Sequence, residues 1–276
     1  MSSEGTQDAG MKAPVAVEGS ERPRVLVVAG YDQSAGAGVL SDVKTLEAHG
    51  VYGYAVCTGF TFQNERAISR IQWFSGEEIA EQIDICCAAA AFDWVKMGIT
   101  EDVEMAGAIV DHLRRHNPAV RIVWDPVIRA SSGREFWTSV GEEWKAVAAR
   151  CYLLTPNWNE IGQLYPGADV LEGCRELTRQ TGCHLYLKGG HHPVYPGRDY
   201  LWSNGDVWLL EPEADGEKVY AKHGSGCVLS SALAASLALG YPLPVAAARS
   251  KQYTRQFLSS NKTLLGWHRP LESRMG

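Results

Sequence analysis

A chain of 276 residues that is 45% hydrophobic and 21% charged has the composition of an ordinary globular protein and is long enough for one large α/β domain. Its formal net charge of −6 argues against an overall electrostatic attraction to nucleic acid or to an anionic membrane. An anionic ligand would therefore need a local binding site.

The cysteines and the apolar segments indicate in which cellular compartment the protein is expected. There are seven cysteines, an odd number, with no Cys-x-x-Cys pair. This usage favours free thiols in a reducing compartment over a disulfide framework or a zinc site. Because no signal-peptide core and no bilayer-spanning apolar stretch is evident, we expect a cytoplasmic protein.

Secondary structure is predicted to begin after a polar tail. Residues 1–21 are rich in Ser, Gly, Glu and Ala, which predicts a disordered tail, and residues 22–276 are expected to form a single domain. The apolar run at 25–29 is typical of a central parallel strand, and a loop of small residues at 31–38 precedes a predicted helix at 39–49.

Strands and helices then alternate. The further predicted strands are residues 52–57, 67–73, 94–97, 120–124, 152–154, 185–188, 200–202 and 207–210, the last two forming a hairpin. The further predicted helices are residues 77–91, 103–116, 225–239 and 244–259, with one more opening at Asn157. This alternation predicts a doubly wound, mostly parallel sheet with helices on both faces.

The segment His223-Gly224-Ser225-Gly226-Cys227 predicts a tight turn that opens a buried helix. The first amide N–H groups of a helix have no partners within it, so they form a site for a phosphate or a developing oxyanion. A thiol in the first turn is expected to have a lowered pKa, which makes Cys227 a candidate base or nucleophile. The alternative is a glycine-rich loop with a buried, inert cysteine.

Polar side chains follow several predicted strands. Asp125, Asn157 with Glu160, and Lys188 all come at strand ends, where ligands bind in open parallel sheets. Carboxylates and an ammonium suit Mg²⁺ and a nucleoside triphosphate. Neither the P-loop motif nor the dinucleotide-binding glycine fingerprint is present in the sequence.

Together these segments resemble the hydroxymethylpyrimidine/phosphomethylpyrimidine kinases of the ribokinase-like superfamily. The resemblance is carried, in order, by residues 29–38, 41–45, 63–64, 96–98, 155–160, 188–191 and 223–227. It implies a ribokinase-like doubly wound α/β fold and a dimer. It also implies Mg²⁺- and ATP-dependent phosphorylation of 4-amino-5-hydroxymethyl-2-methylpyrimidine, of its monophosphate, or of both, in thiamine biosynthesis.

The resemblance also implies roles for individual residues. Those at the pyrimidine are Asp42, Gln63, Ala37 and Ile99. Those at the transferring phosphoryl group are Gly224, Ser225 and Gly226 as the anion hole, and Cys227 as the base that accepts the hydroxymethyl proton. Those at the nucleotide and its phosphates are Lys188, Asn157, Glu160 and Lys251, with Asp125 and Glu160 near the magnesium, through water.

Two departures from the family pattern bear on the site. The chain has Asp32-Gln33-Ser34-Ala35 where the family usually has Asp-Pro-Ser-Gly. Lys222 stands where a small or hydroxyl residue is common, and it either adds charge beside the phosphates or faces solvent, the second being favoured. Two other functions stay open: a pyridoxal kinase of the same superfamily, and a ligand sensor that keeps the fold without catalysis.

Overall fold

The computed structural model describes residues 22–129, 136–137, 141–167, 169–212 and 217–271, so the predicted tail lies outside the described residues. Within them, nine strands form one sheet in the order β3-β2-β1-β4-β5-β6-β7-β8-β9. The strands are β1 Arg24–Asp32, β2 Tyr52–Gln63, β3 Ile68–Trp73, β4 Trp94–Met97, β5 Arg121–Trp124, β6 Leu153–Leu154, β7 His184–Leu187, β8 Asp199–Ser203 and β9 Asp206–Leu210.

The helices lie between these strands and after them. They are α1 Gly38–Ala48, α2 Gly76–Ala89, α3 Val103–His116, α4 Glu143–Ala148, α5 Trp158–Leu164, α6 Val170–Thr181, α7 Ser225–Ala238 and α8 Leu243–Ser259. Every predicted strand and helix is confirmed, with shifted ends, the largest change being at β2, which continues six residues past its predicted end to Gln63.

Helices α4 and α6 are not among the predicted elements. The signals for α6 are present in the sequence, because Asp169 caps its first turn and Gly182 ends it with φ +69°. Helix α4 has only six residues, too few to show a helical repeat of apolar positions.

The sheet is parallel at its centre and antiparallel at its edges. Strand β1 pairs in parallel with both β2 and β4, and parallel pairing continues through β5 and β6 to β7. Strands β3, β8 and β9 pair antiparallel. The prediction of a doubly wound, mostly parallel sheet is therefore confirmed, and the carboxyl ends of six strands lie along one edge.

The apolar run in β1 is explained by burial on both faces of the sheet. Leu26 and Val28 pack into the cluster that includes residues of α2 to α6, whereas Val25 and Val27 pack against α1, α7 and α8 on the other face. Ten consecutive residues of α7, 228–237, are buried, so this helix lies inside the protein and its first turn is held at the carboxyl edge. No helix in the described ranges is both long and apolar enough to cross a bilayer.

Candidate active site

A cavity of about 1230 Å³ opens at the carboxyl edge of the parallel strands. Its walls come from the ends of β1, β2, β4, β5 and β7 and from the start of α7, with α8 on one side. A pocket for a single small ligand usually measures about 300–1,000 Å³. The cavity is therefore large enough for two reactants side by side.

The glycine turn before α7 is held tightly against the loop before α1. Gly224 has φ +74°, and a Cβ on it would lie 2.0 Å from the carbonyl oxygen of Gly36. At Gly38, the first residue of α1, φ is +60° and a Cβ would lie 2.0 Å from the carbonyl oxygen of Gly30. Only glycine fits at these two positions, and both helices begin at the wall of the same cavity.

Cys227 lies in the first turn of α7 and is partly exposed to the cavity. Burial raises the pKa of its thiol to about 11, although the nearby Lys96 ammonium and the N–H of Gly38 act in the opposite direction. The expectation of a lowered pKa is therefore wrong for this structure. The helix terminus favours the thiolate, but the loss of solvation around the sulfur is the larger effect.

Lys96 and Asp42 form a fully buried ion pair beneath the cavity. The Lys96 Nζ lies 2.7 Å from Asp42 Oδ2, and the Ser231 hydroxyl donates to Asp42 Oδ1 at 2.7 Å. Burial raises the pKa of Asp42, while the electrostatic effect of Asp42 helps to keep that of Lys96 above its ordinary value. Lys96 borders the cavity, whereas Asp42 is fully buried behind it, and direct contact of Asp42 with the ring stays a prediction.

The other residues predicted for the pyrimidine lie together. Gln63 at the end of β2, Ala37 before α1 and Ile99 after β4 all line the cavity. The departure at Gln33 has a visible effect, because its Oε1 accepts the Gln63 N–H at 3.2 Å and joins the first loop to β2. Direct contacts of these side chains with a ring stay predictions.

Lys188 and two carboxylates gather on the phosphate side. The Lys188 Nζ lies 2.6 Å from Asp125 Oδ1 and 3.9 Å from Glu160 Oε2. Burial raises the pKa of Glu160 to about 7, Lys188 counteracts this, and the Asp125 carboxylate adds to it. Two buried carboxylates beside one ammonium offer hard oxygen atoms, which fits Mg²⁺ bound directly or through water.

The α5 terminus supports this group. The Asn157 side chain accepts the N–H groups of Asn159 and Glu160, each at 2.9 Å, and Glu160 Oε2 accepts the Asn157 N–H at 2.6 Å. Asn157 is thus the N-cap of α5 as well as a lining residue, and the reciprocal bonds orient the Glu160 carboxylate.

Two lysines have partners that the sequence did not reveal. Lys251 lines the cavity from α8, but its Nζ lies 2.7 Å from Asp199 Oδ2. Lys222 is only 7% exposed and donates to the Thr263 carbonyl at 2.7 Å, so the favoured interpretation that it faces solvent is wrong.

Sequence reasoning assigned no role to three residues of the site. Lys96 lies in one of the segments that carry the family resemblance, and its place at the middle of an apolar strand was the available signal. Asp32 and His223, which pair at 2.9 Å, lie at the end of β1 and just before the glycine turn. Their contact joins segments 191 positions apart and left no local pattern.

The sequence is similar to that of a known enzyme family. The profile of the phosphomethylpyrimidine kinase family matches residues 32–272. The hydroxymethylpyrimidine/phosphomethylpyrimidine kinase of Rhizobium meliloti (strain 1021) is 35% identical over 244 residues, which cover 85% of this chain and 90% of that protein.

Solved structures show the same fold. The phosphomethylpyrimidine kinase of Clostridium difficile 630 superposes with a TM-score of 0.69 at 28% identity, covering 85% of this chain and 98% of that one. Staphylococcus aureus pyridoxal kinase in complex with AMP-PCP and pyridoxal gives a TM-score of 0.75 at 20% identity, covering 89% and 91%, which shows the ribokinase-like fold alone. On its sequence match to the profile and to the Rhizobium enzyme, the chain belongs to the phosphomethylpyrimidine kinase family.

Proposed function

We propose that the protein is an ATP-dependent hydroxymethylpyrimidine/phosphomethylpyrimidine kinase of thiamine biosynthesis. One observation carries the proposal: the start of α7, with Gly224–Gly226 and Cys227, lines the same cavity as Lys188 and Gln63. A ring that bears a hydroxymethyl group and a nucleoside triphosphate can then meet at the tip of one helix. The family membership supports the choice of reactants.

The role of each residue follows from its position in the cavity. Gln63 has an amide that can both donate to and accept from an aza-aromatic ring, and Ala37 and Ile99 supply apolar walls. With the ring there, we assign its hydroxymethyl arm to the part of the cavity lined by Cys227. In phosphoryl transfer the protein mainly positions the reactants and stabilises charge, so the free amide N–H groups at Gly224–Gly226 suit the transferring group.

Charge on the phosphate side is supplied by Lys188, whose Nζ would lie 3.3 Å from a Cβ at Gly226 and so reaches the helix tip. When bound at Asp125 and Glu160, Mg²⁺ would neutralise phosphate oxygens. Cys227 acts as a base from its thiolate form, which Lys96 and the Gly38 N–H favour. The hydroxymethyl proton passes to its sulfur as the oxygen forms a bond to the γ-phosphorus of ATP, and the bond from that phosphorus to the β,γ-bridging oxygen breaks to release ADP.

A coupled ADP-release assay with the pyrimidine and with pyridoxal tests the assignment. Turnover of the pyrimidine is expected, turnover of pyridoxal alone would replace the proposal with a pyridoxal kinase, and binding without ADP formation would indicate a sensor. The variant Gln63→Ala should weaken pyrimidine binding by about 1–3 kcal/mol, because a polar ring atom loses its partner. The matched control is Gln72→Ala, at an exposed position of β3 outside the cavity.

We also propose a cytoplasmic homodimer. All seven cysteines are free, which fits a reducing compartment, and the dimer follows from the family resemblance. Light scattering coupled to size-exclusion chromatography measures the subunit number.

A further inference from the structure

Two histidines and an aspartate meet on the surface where α2 and α3 lie side by side. The His112 Nε2 and the His116 Nε2 each lie 2.6 Å from the same atom, Asp84 Oδ1. The two imidazole rings are 5.4 Å apart between centroids and tilted by 62°. One potential ligand atom from each residue lies within 4.8 Å of the others.

The helix geometry accounts for this meeting. His112 and His116 are four residues apart on α3, so their side chains project from the same face, one turn apart. A Cβ on Gly76, at the start of α2, would lie 3.8 Å from Met105, near the start of α3. Asp84 contacts His112 and His116 further along both helices, so the two helices run in the same direction. Asp84, eight residues into α2, is then level with the two histidines.

We propose that Asp84, His112 and His116 bind a borderline-soft divalent transition-metal ion, Zn²⁺ by preference. Imidazole nitrogens with one carboxylate oxygen are a ligand set that suits Zn²⁺, and three protein ligands leave a fourth tetrahedral position for water. The side chains of the three are 54%, 15% and 36% exposed, in that order, so an ion can enter from solvent.

The site is separate from the catalytic cavity, since none of its three residues lines that cavity. Helix α3 follows β4 and returns along the sheet, so its last residue, His116, lies toward the amino edge of the strands, opposite the active site. A bound ion would connect α2 to α3 and stabilise the folded chain, without supplying catalysis. Its nitrogen ligands also distinguish it from the carboxylates proposed for Mg²⁺, because Mg²⁺ prefers oxygen.

Arg115, the neighbour of His116 in the sequence, allows a further test of the proposed metal site. Its guanidinium lies 2.5 Å from His112 Nδ1 and therefore donates to that atom. When Nε2 ligates a metal, the neutral ring carries its proton on Nδ1, which leaves nothing for the guanidinium to donate to. Arg115 must then move away, so Arg115→Ala should bind the ion more tightly than the unmodified chain.

The experiment is titration of the full chain with Zn²⁺, and with Co²⁺ as a spectroscopic probe, in excess Mg²⁺. One equivalent per chain, visible tetrahedral Co²⁺ bands without thiolate charge transfer, and a raised melting temperature are expected. His112→Ala and His116→Ala should each weaken binding at least 100-fold, while Arg115→Ala strengthens it. Unchanged affinity in both histidine variants, cysteine-to-cobalt charge-transfer bands, or no binding at millimolar Zn²⁺ would overturn the proposal.

Discussion

The Asp32 carboxylate accepts a hydrogen bond from the His223 imidazole across 2.9 Å and so joins the loop after β1 to the glycine turn before α7. Burial alone would raise the pKa of Asp32, but donors from His223, Ser34 and Ala37 hold it below its ordinary value. This hydrogen bond therefore helps to hold the loop after β1 against the glycine turn before α7.

Removal of this contact should affect stability and turnover together. His223→Ala leaves a buried carboxylate without one donor, which should lower the free energy of unfolding by about 1–3 kcal/mol. The value of kcat should fall because the Gly224 turn is no longer anchored. Urea denaturation and steady-state kinetics measure both. His223→Gln, which keeps an N–H donor, should recover part of each loss, and equal behaviour of the two variants would contradict the role of the hydrogen bond.

The Lys96–Asp42 ion pair predicts that a second substitution restores stability that the first one removes. Lys96→Met leaves the Asp42 carboxylate buried without its cation and should cost about 3–5 kcal/mol of unfolding free energy. Replacement of both, in Lys96→Met with Asp42→Leu, removes both charges and should restore most of the stability. Because Lys96 borders the cavity, the double variant should stay inactive. A double variant no more stable than the single one would show that the charges are not coupled.

Gly224 and Gly240 lie just before and just after α7. Substitution of each distinguishes the stability cost of close packing from the cost of backbone strain. Both Gly224 and Gly240 have positive φ, but a Cβ at Gly240 meets nothing within 4 Å. Gly240→Ala should therefore cost only about 1–2 kcal/mol, for the left-handed conformation. Gly224→Ala also forces the Gly36 carbonyl to move, which should add about 1–3 kcal/mol and reduce activity. Chemical denaturation of both variants gives the comparison, and equal losses would argue against a tight turn.

The raised pKa of Cys227 predicts a pH-dependent rate. A base that must be a thiolate is scarce at pH 7 when its pKa is about 11, so kcat/KM should rise with pH above neutrality. Cys227→Ala should lower kcat by about 10²- to 10⁴-fold with little change in KM and should lose this rise. Steady-state kinetics of both proteins over the alkaline range measure it. A variant that keeps the same alkaline rise would assign the titration to another group.

Two partly buried histidines on either side of Thr45 predict instability in acid. His49 on one side and His268 on the other contact Thr45, and burial lowers the pKa of each to about 4. The unfolded chain takes up these protons near pH 6.5 and the folded chain only near pH 4, so stability should fall as the pH drops through that window.

Each of these two histidines contributes to the slope with which stability falls as the pH drops. Each proton bound only by the unfolded state contributes about 1.4 kcal/mol per pH unit, so two should approach about 2.7 kcal/mol per unit between pH 5 and 6. His268→Gln should remove about half of that slope in urea denaturation at several pH values. An unchanged slope would mean that His268 is protonated in the folded protein.

Local patterns determined the elements of this protein. The apolar β1 run, the helical repeat in α3 and the glycine turn at Gly224 are set by neighbouring residues, so each can be recognised in the amino-acid sequence by itself. The strand ends also predicted that Asp125, Glu160 and Lys188 would lie together, since parallel strands end at one edge of the sheet.

Only the tertiary structure decided the burial, the pKa and the partners of the side chains at the site. The burial of Asp42 behind Lys96, the high pKa of Cys227 and the partners of Lys222 depend on which distant segments remove water from each side chain. Solvation and pairing across 41 to 189 positions have no local sequence signature. A chain can therefore indicate which residues reach the site, but the packed fold sets their charge and exposure.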